Sequence, residues 1–254
     1  DPFFNNVVGS REAYQVAARA LRAGAATNAA GCPMFDRETA LGVFDEWRHT
    51  DGGRGANFLN GWTPASLVVS IDLAAVDSGG PHIAVWAATM NGRRQIDRMG
   101  RPLTGNALMA PLADDGVSDE LKERYNAARP ADWAQFRRPI QQTLGLYDGF
   151  DGACGNQVLA DASAAPAQRY RALAALLADD RLWVNRPSAS CTQFFAVELA
   201  HLAGHTSLND DCGGRTPNYD AVDVYRSLLG TGGGVGIGGG IQLAVGLTSS
   251  AFAA

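Results

Sequence analysis

The sequence predicts an α+β fold: an antiparallel β-sheet with packed helices, stabilised by disulfides and followed by a Gly-rich C-terminal tail. Segments with apolar residues at helical spacing flank a central block that is rich in β-branched and aromatic residues. The strand-like segments of that block follow one another across short turns, which favours antiparallel pairing over a doubly wound parallel sheet. We expect one α+β domain over residues 1–229 and a tail over residues 230–254.

Three helices are expected to pack their apolar faces on the sheet or on each other, over residues 10–30, 36–47 and 166–178. The first is Ala-rich and begins with Ser10 as a capping residue, and the second begins with Asp36 as its N-cap. Two further helices are expected, one starting at Ser118 and one after Pro130, the latter interrupted at Pro139.

Three strands are expected to form one antiparallel sheet, over residues 67–73, 83–88 and 95–99. The first two are separated by the turn "DSGGP" and read as a hairpin. Trp86 should then be buried, on the face opposite Val85. "RLWVN" is predicted as a further short strand, whereas "CTQFFAVELAHLAG" fits a strand or a helix.

The charge pattern and the lengths of the apolar runs exclude a nucleic-acid-binding protein and a transmembrane protein. The net charge is −5, and the basic residues are scattered along the chain. A nucleic-acid interface needs clustered Lys and Arg, so no nucleic-acid partner is expected. No run of eighteen or more apolar residues is present, so no transmembrane segment is expected either. The start "DPFF" lacks Met and suggests a processed product or part of a longer chain.

Four cysteines at wide spacing indicate the compartment. They are Cys32, Cys154, Cys191 and Cys212, and none forms a C-x-x-C pair. Two structural disulfides in an oxidising compartment fit this pattern, although four buried free thiols are an alternative. Of three possible pairings we favour Cys191 with Cys212 and Cys32 with Cys154, because the first closes a short loop. We therefore expect an extracytoplasmic protein, in the periplasm, at the cell surface or secreted.

Several long strings resemble the bacterial domain-of-unknown-function family 4331, over residues 1 to about 229. Besides "DPFF" at the start, they are "PHIAVWAAT", "QIDRMGRPLTGNALM", "YDGFDGACGNQVLAD", "ADDRLWVN", "CTQFFAVEL" and "DCGGRTPNYDAVDVYRSLL". The resemblance implies an exported bacterial protein that is rich in β structure, with no established activity or catalytic residues to carry over. Longer relatives have additional sequence before "DPFF". The Gly-rich end departs from the family's acidic, aromatic closing segment.

Two histidines offer a weak metal-site candidate. In "HLAGH", His201 and His205 are four residues apart and would share one face of a helix. A third ligand would have to be Glu198, Asp210 or Asp211. The alternative is a pair of solvent-facing histidines at a loop.

Acidic, Gly-rich loops offer weak candidates for calcium, the one possible cofactor. Asp148 and Asp151 lie in "YDGFDGACGN", and Asp220 and Asp223 lie in "NDDCGGRTPNYDAVD". Calcium takes six to eight oxygen ligands, but neither loop has EF-hand spacing. Because Asp and Asn also build turns, a turn-forming role is the main alternative. No catalytic residue is assigned, since no G-x-S-x-G or P-loop motif is present.

The string "RQIDRMGRPLTGNALM" is interpreted as a strand followed by a structural corner, with a ligand site as the alternative. An ion pair of Asp97 with Arg98 or Arg101 could fix the corner, and Asn106 could bond exposed backbone. We expect Asp97→Ala to lower stability strongly if the corner is structural.

The leading functional hypothesis is a non-catalytic subunit of a cell-surface or envelope complex that acts by binding or assembly. The tail "GTGGGVGIGGGIQLAVGLTSSAFAA" is apolar and uncharged, so an exposed tail would be a liability on a soluble monomer. We expect it to pack on another subunit, as a strand or an apolar arm; folding back as an edge strand is the alternative. A metal-assisted hydrolase and a calcium-dependent binding module are the other hypotheses.

Overall fold

The structure is a computed structural model and confirms the α+β class. It describes residues 5–77, 79–157, 163–202, 204, 206–216, 221, 225, 229–230, 235–236 and 240–241. Within these ranges, helix exceeds strand, so the described residues are not rich in β structure, whereas the family resemblance implies that they are. Every ladder between the described strands is antiparallel.

The helices of the described residues enclose most of the buried core. They are α1 (Val7–Arg22), α2 (Arg37–Arg48), α3 (Thr104–Leu108), α4 (Asp115–Ala127), α5 (Arg137–Asp148), α6 (Arg171–Ala178) and α7 (Ala196–Leu202). Short 3-10 turns cover Leu73–Val76, Pro130–Phe136, Pro166–Gln168 and Thr206–Leu208.

The strands are short and lie in two-stranded pairs. They are β1 (His49–Thr50), β2 (Gly53–Arg54), β3 (His82–Val85), β4 (Ala87–Asn91), β5 (Arg94–Met99), β6 (Leu182–Asn185), β7 (Val235–Gly236) and β8 (Gly240–Ile241). The pairs are β1 with β2, β3 with β6, β4 with β5, and β7 with β8.

The predicted three-stranded sheet is wrong in its membership. Residues 67–72 form no strand with any described residue. β3 instead pairs with β6, so that His82 faces Asn185, and β4 forms the hairpin with β5 through a turn at Gly92, where φ is +60°. Trp86 separates β3 from β4 and is 41% exposed, so its predicted burial is also wrong.

The first two helices form the N-terminal side of the core. The Oδ1 atom of Asn6, rather than Ser10, caps α1 by accepting a hydrogen bond from the Gly9 N–H at 3.0 Å. Ser10 is buried inside the helix, and its hydroxyl accepts a hydrogen bond from the Trp47 indole at 2.9 Å. The Asp36 cap of α2 is confirmed, since its carboxylate accepts the Thr39 N–H at 2.8 Å.

Helix boundaries elsewhere depart from the sequence pattern. Ser118 does not cap α4, which already begins at Asp115. The interruption expected at Pro139 lies earlier, where the 3-10 turn ends and α5 starts, so Pro139 occupies the first turn of α5. The ambiguous string that begins at Cys191 forms helix α7 only from Ala196.

The core is built from aromatic side chains that the helices bring together. Tyr14, Trp47, Tyr147 and Phe150 form one cluster, with the rings of Trp47 and Phe150 5.2 Å apart. The helices therefore pack mainly on each other, which was one of the two arrangements expected.

Two disulfides link the chain, Cys32 to Cys154 and Cys191 to Cys212, which is the pairing favoured from the sequence. The first joins the loop after α1 to the segment after α5, across 122 residues of sequence. Across the described residues, no helix combines the length and apolarity needed to cross a membrane.

Candidate functional site

The histidine candidate does not gather a set of metal ligands among the described residues. His201 is exposed near the end of α7, and His205 lies outside the described residues. Glu198 forms an ion pair with Arg101, and Asp211 accepts hydrogen bonds from Thr192 and Gly213. No group of three or more His, Cys, Asp or Glu side chains with metal-site geometry occurs in the described ranges.

The acidic loop after α5 has a contact pattern that fixes its own backbone. The buried Asp148 carboxylate accepts the N–H groups of Gly155 at 2.6 Å and Gln157 at 3.0 Å, and the Tyr170 hydroxyl. Asp151 accepts the Ala153 N–H at 2.9 Å, as in an Asx turn. These contacts correspond to the turn-forming alternative.

The other two calcium candidates, Asp220 and Asp223, lie outside the described residues. A calcium site therefore stays a prediction.

The corner in "RQIDRMGRPLTGNALM" is formed by Arg101 rather than by Asp97. Arg101 donates from Nη2 to Glu198 Oε1 at 2.8 Å, with side-chain exposures of 0% and 2%. Its Nη1 donates to the carbonyl of Leu176 at 3.1 Å and to that of Asp179, at the C-terminal end of α6.

The backbone of the corner lies directly against the end of α6. The Arg101 N–H donates to the Asp180 carbonyl at 3.1 Å. A Cβ on Gly100 would lie 1.6 Å from that same carbonyl oxygen, so this approach requires glycine. Asp97 is exposed and, among the described residues, its carboxylate accepts a hydrogen bond only from the adjacent Arg98 N–H, so the expected ion pair with Arg98 or Arg101 is wrong.

Arg98 lies in an aromatic enclosure that sequence reasoning missed. Its guanidinium carbon lies 3.7 Å from the ring centroid of Tyr125, 4.3 Å from that of Trp133 and 5.6 Å from that of Phe136. None of its three guanidinium nitrogens makes a hydrogen bond of normal geometry with a described residue. Burial lowers the pKa of Arg98, against the opposing influence of Tyr125 and Asp180.

Three further polar side chains near Arg98 and Arg101 are buried, those of Asp180, Tyr125 and Tyr225. Burial raises the pKa of the Asp180 carboxyl, although Arg98 and Arg101 oppose this. Burial also raises the pKa of Tyr125 and Tyr225, so both hydroxyls stay protonated in the physiological range. The hydrogen bonds of Arg101 to Leu176, Asp179 and Glu198 hold the end of α6 and helix α7 to the corner. This favours the structural interpretation over a ligand site.

The most unusual surface is an uncovered apolar segment, residues 62–71, "WTPASLVVSI". Every residue of it is exposed, with Leu67 at 89% and Val68 at 92%. Among the described residues, no backbone hydrogen bond reaches residues 63–71. Their C=O groups, and the N–H groups of all but Pro64, can therefore pair with an added strand.

The ends of this segment are fixed although its middle is not covered. Before it, the Phe58 N–H donates to the Asn5 carbonyl at 3.0 Å, and the Phe58 ring lies 5.8 Å from that of Trp62. After it, the Asp77 carboxylate pairs with Arg186 at 2.7 Å, next to β6. The uncovered residues are thus held between two anchored points.

Exposed apolar side chains concentrate in this part of the chain. Seventeen large ones occur among the described residues, and thirteen of them lie between residues 58 and 99. They include Val85, Met90 and Met99 of the strands and hairpin that follow the segment. We name residues 58–99 the exposed apolar region.

Fold and surface together define a helix-rich α+β protein, linked by two disulfides, with an exposed apolar region. Comparisons with protein-family models, curated proteins and solved structures found no match. The resemblance to family 4331 therefore stays a prediction.

The sequence alone could not show that this region is exposed. Leu67, Val69 and Ile71 alternate with Ser66, Ser70 and Asp72, which is the pattern of a strand with one polar face. That pattern does not show whether a partner covers the apolar face. The pairing of Arg101 with Glu198, 97 residues apart, has no signal in the sequence either.

Proposed function

We propose that this is an exported, non-catalytic bacterial protein that acts by binding or assembly, as a subunit of a cell-surface or envelope complex. The observation that carries the proposal is the uncovered segment of residues 62–71 within the exposed apolar region. Monomeric proteins rarely leave contiguous apolar patches of this kind in water, and such patches are common at protein interfaces.

The segment has the chemistry of an acceptor for an added β-strand. It has β-branched side chains at Val68, Val69 and Ile71, carries no charge, and offers unpaired backbone groups. Pairing would provide main-chain hydrogen bonds, and covering the apolar side chains would contribute roughly 25 cal/mol for each Å² removed from water. An uncharged, apolar strand is the complementary partner.

The C-terminal tail of a second copy of this chain has the chemistry of such a strand. Its last residues, "IQLAVGLTSSAFAA", are uncharged and strand-competent, and most of the tail lies outside the described residues. We propose that the tail of one subunit adds to the segment of another. Deleting residues 230–254 should then leave a folded chain that sediments as a monomer; a truncated chain that unfolds would make the tail part of the core.

Export is supported by the covalent structure. Two disulfides persist in oxidising compartments and are rare in the cytosol, which favours the periplasm, the cell surface or secretion. The resemblance to family 4331 supports the same compartment.

The test is the mass of the purified chain by sedimentation equilibrium, with a matched pair of variants. Val68 and Val117 are both exposed valines, but Val117 lies on α4, outside the exposed apolar region. We expect Val68→Asp to convert an assembly into a folded monomer, because the interface would bury a charge. Val117→Asp should leave the assembly intact. A wild-type chain that is monomeric alone and binds no partner from its own envelope fraction would overturn the proposal.

A further inference from the structure

A groove between α1 and α4 is separate from the exposed segment of residues 62–71 and has a different chemistry. Its volume is about 690 Å³, within the range of small-molecule sites. One face of α1 forms one wall, with Arg11, Tyr14, Ala18 and Arg22. These positions recur at intervals of three or four residues, so they share one face of the helix.

The other sides of the groove combine apolar and polar groups. Leu103 and Ala107 of the corner and α3 contribute apolar surface, and Phe58 lines the groove as well. The α4 wall carries Ser118 and Lys122, the only lysine of the chain. An organic ligand could therefore bury an apolar body between two helices.

The charges that line the groove are unbalanced toward positive. Arg11, Arg22 and Lys122 line it, against the single carboxylate of Asp115. Arg11 and Arg22 have no ion-pair partner among the described residues, while Lys122 lies 3.5 Å from Asp119 outside the lining. This local excess of cations in a chain of net charge −5 points to an anionic ligand.

We propose that the groove binds a small amphipathic carboxylate. Its unbranched apolar chain packs against Leu103 and Ala107, and its carboxylate pairs with Arg11 or Arg22 of α1. The inference does not depend on the proposed assembly function. Arg11 and Arg22 lie eleven residues apart, or about 16 Å along the helix axis. A chain of fatty-acid length can therefore lie along the groove with its carboxylate at one arginine.

The test uses dodecanoate as the probe, measured by isothermal titration on the full chain. Acetate supplies the head without the chain, and dodecyltrimethylammonium supplies the chain with the opposite charge. We expect dodecanoate to bind and both controls to bind at least tenfold more weakly. The double variant Arg11→Gln, Arg22→Gln should lose roughly tenfold in affinity, since hydrogen bonds to charged groups are the strong ones.

Matched variants locate the site. Arg19→Gln changes an arginine of α1 that does not line the groove and should leave binding unchanged. Dodecanoate should also slow acylation of Lys122 by an amine-reactive ester, read by peptide mass spectrometry.

Adsorption to the exposed apolar region is the competing explanation, and it gives a different pattern. Binding that survives the double arginine variant but is lost in Val68→Asp would overturn the proposal. Equal binding of dodecanoate and dodecyltrimethylammonium would overturn it as well, as would unprotected acylation of Lys122.

Discussion

Replacing Arg101 by Met tests the energetic role assigned to the corner. The guanidinium of Arg101 is fully buried and joins three parts of the fold: its own corner, the end of α6 at Leu176 and Asp179, and Glu198 of α7. A Met side chain fills similar length but donates no hydrogen bond. The Glu198 carboxylate would then remain buried without its cation, and the carbonyls of Leu176 and Asp179 would lose the donor that Arg101 supplies.

The magnitude follows from the burial of both partners. Removing one partner of a buried ion pair costs about 3–5 kcal/mol, because the remaining charge is not compensated. A change of 1 kcal/mol moves Tm by roughly 3 °C for a domain of this size, so we expect Arg101→Met to lower Tm by about 12 °C. This is a large fraction of a typical unfolding free energy of about 5–15 kcal/mol.

The assay is urea and thermal unfolding followed by far-UV circular dichroism, with the disulfides intact. Asp97→Ala is the internal control, since Asp97 is exposed and should change the unfolding free energy by less than about 1 kcal/mol. Combining Arg101→Met with Glu198→Leu should recover part of the loss, because the pair is coupled. A loss below 1 kcal/mol in Arg101→Met, or an equal loss in Asp97→Ala, would refute this reasoning.

Three further outcomes are expected. Nonreducing peptide mapping should link the peptides of Cys191 and Cys212, and selective loss of this 21-residue cross-link should cost roughly 3 kcal/mol of stability; free thiols in fresh protein would contradict it. Arg98→Met should cost less than about 1.5 kcal/mol in urea unfolding, because it removes a buried cation that has no hydrogen-bond partner in the described part of the chain. Burial raises the pKa of Asp180 above 3.8, so the folded state holds this proton more tightly than the unfolded state. Wild-type stability relative to Asp180→Asn should therefore fall as pH rises from 3.8 through the raised pKa, and a parallel pH dependence of the two proteins would contradict this.

Local signals predicted the helices better than the strands. The Asp36 cap and the apolar spacing after it determine where α2 begins, because both act within a few residues. Residues 67–73 have the β-branched composition of a strand, but a strand also needs a partner to pair with. Among the described residues none is present, so composition alone gave the wrong assignment.

A β-bulge places two buried polar side chains on the same face of β5. In a regular strand, Gln95 and Arg98 are three residues apart and would lie on opposite faces. The pairing register between β4 and β5 changes between Thr89 and Met90, and Ile96 is the extra residue of β5. Gln95 and Arg98 are therefore both buried. A one-residue bulge has no signature in this sequence, and neither has the distant partner of Arg101.

Backbone hydrogen exchange of residues 65–71 tests the central claim most directly. These amides are exposed and make no backbone hydrogen bond with described residues, so they should exchange at nearly the rate of an unfolded peptide in the monomeric chain that lacks residues 230–254. In the full-length chain, which the proposal expects to assemble, we expect strong protection of Val68, Val69 and Ile71 in an alternating or continuous ladder. Fast exchange at these amides in both preparations would contradict the proposal that this segment is the assembly surface.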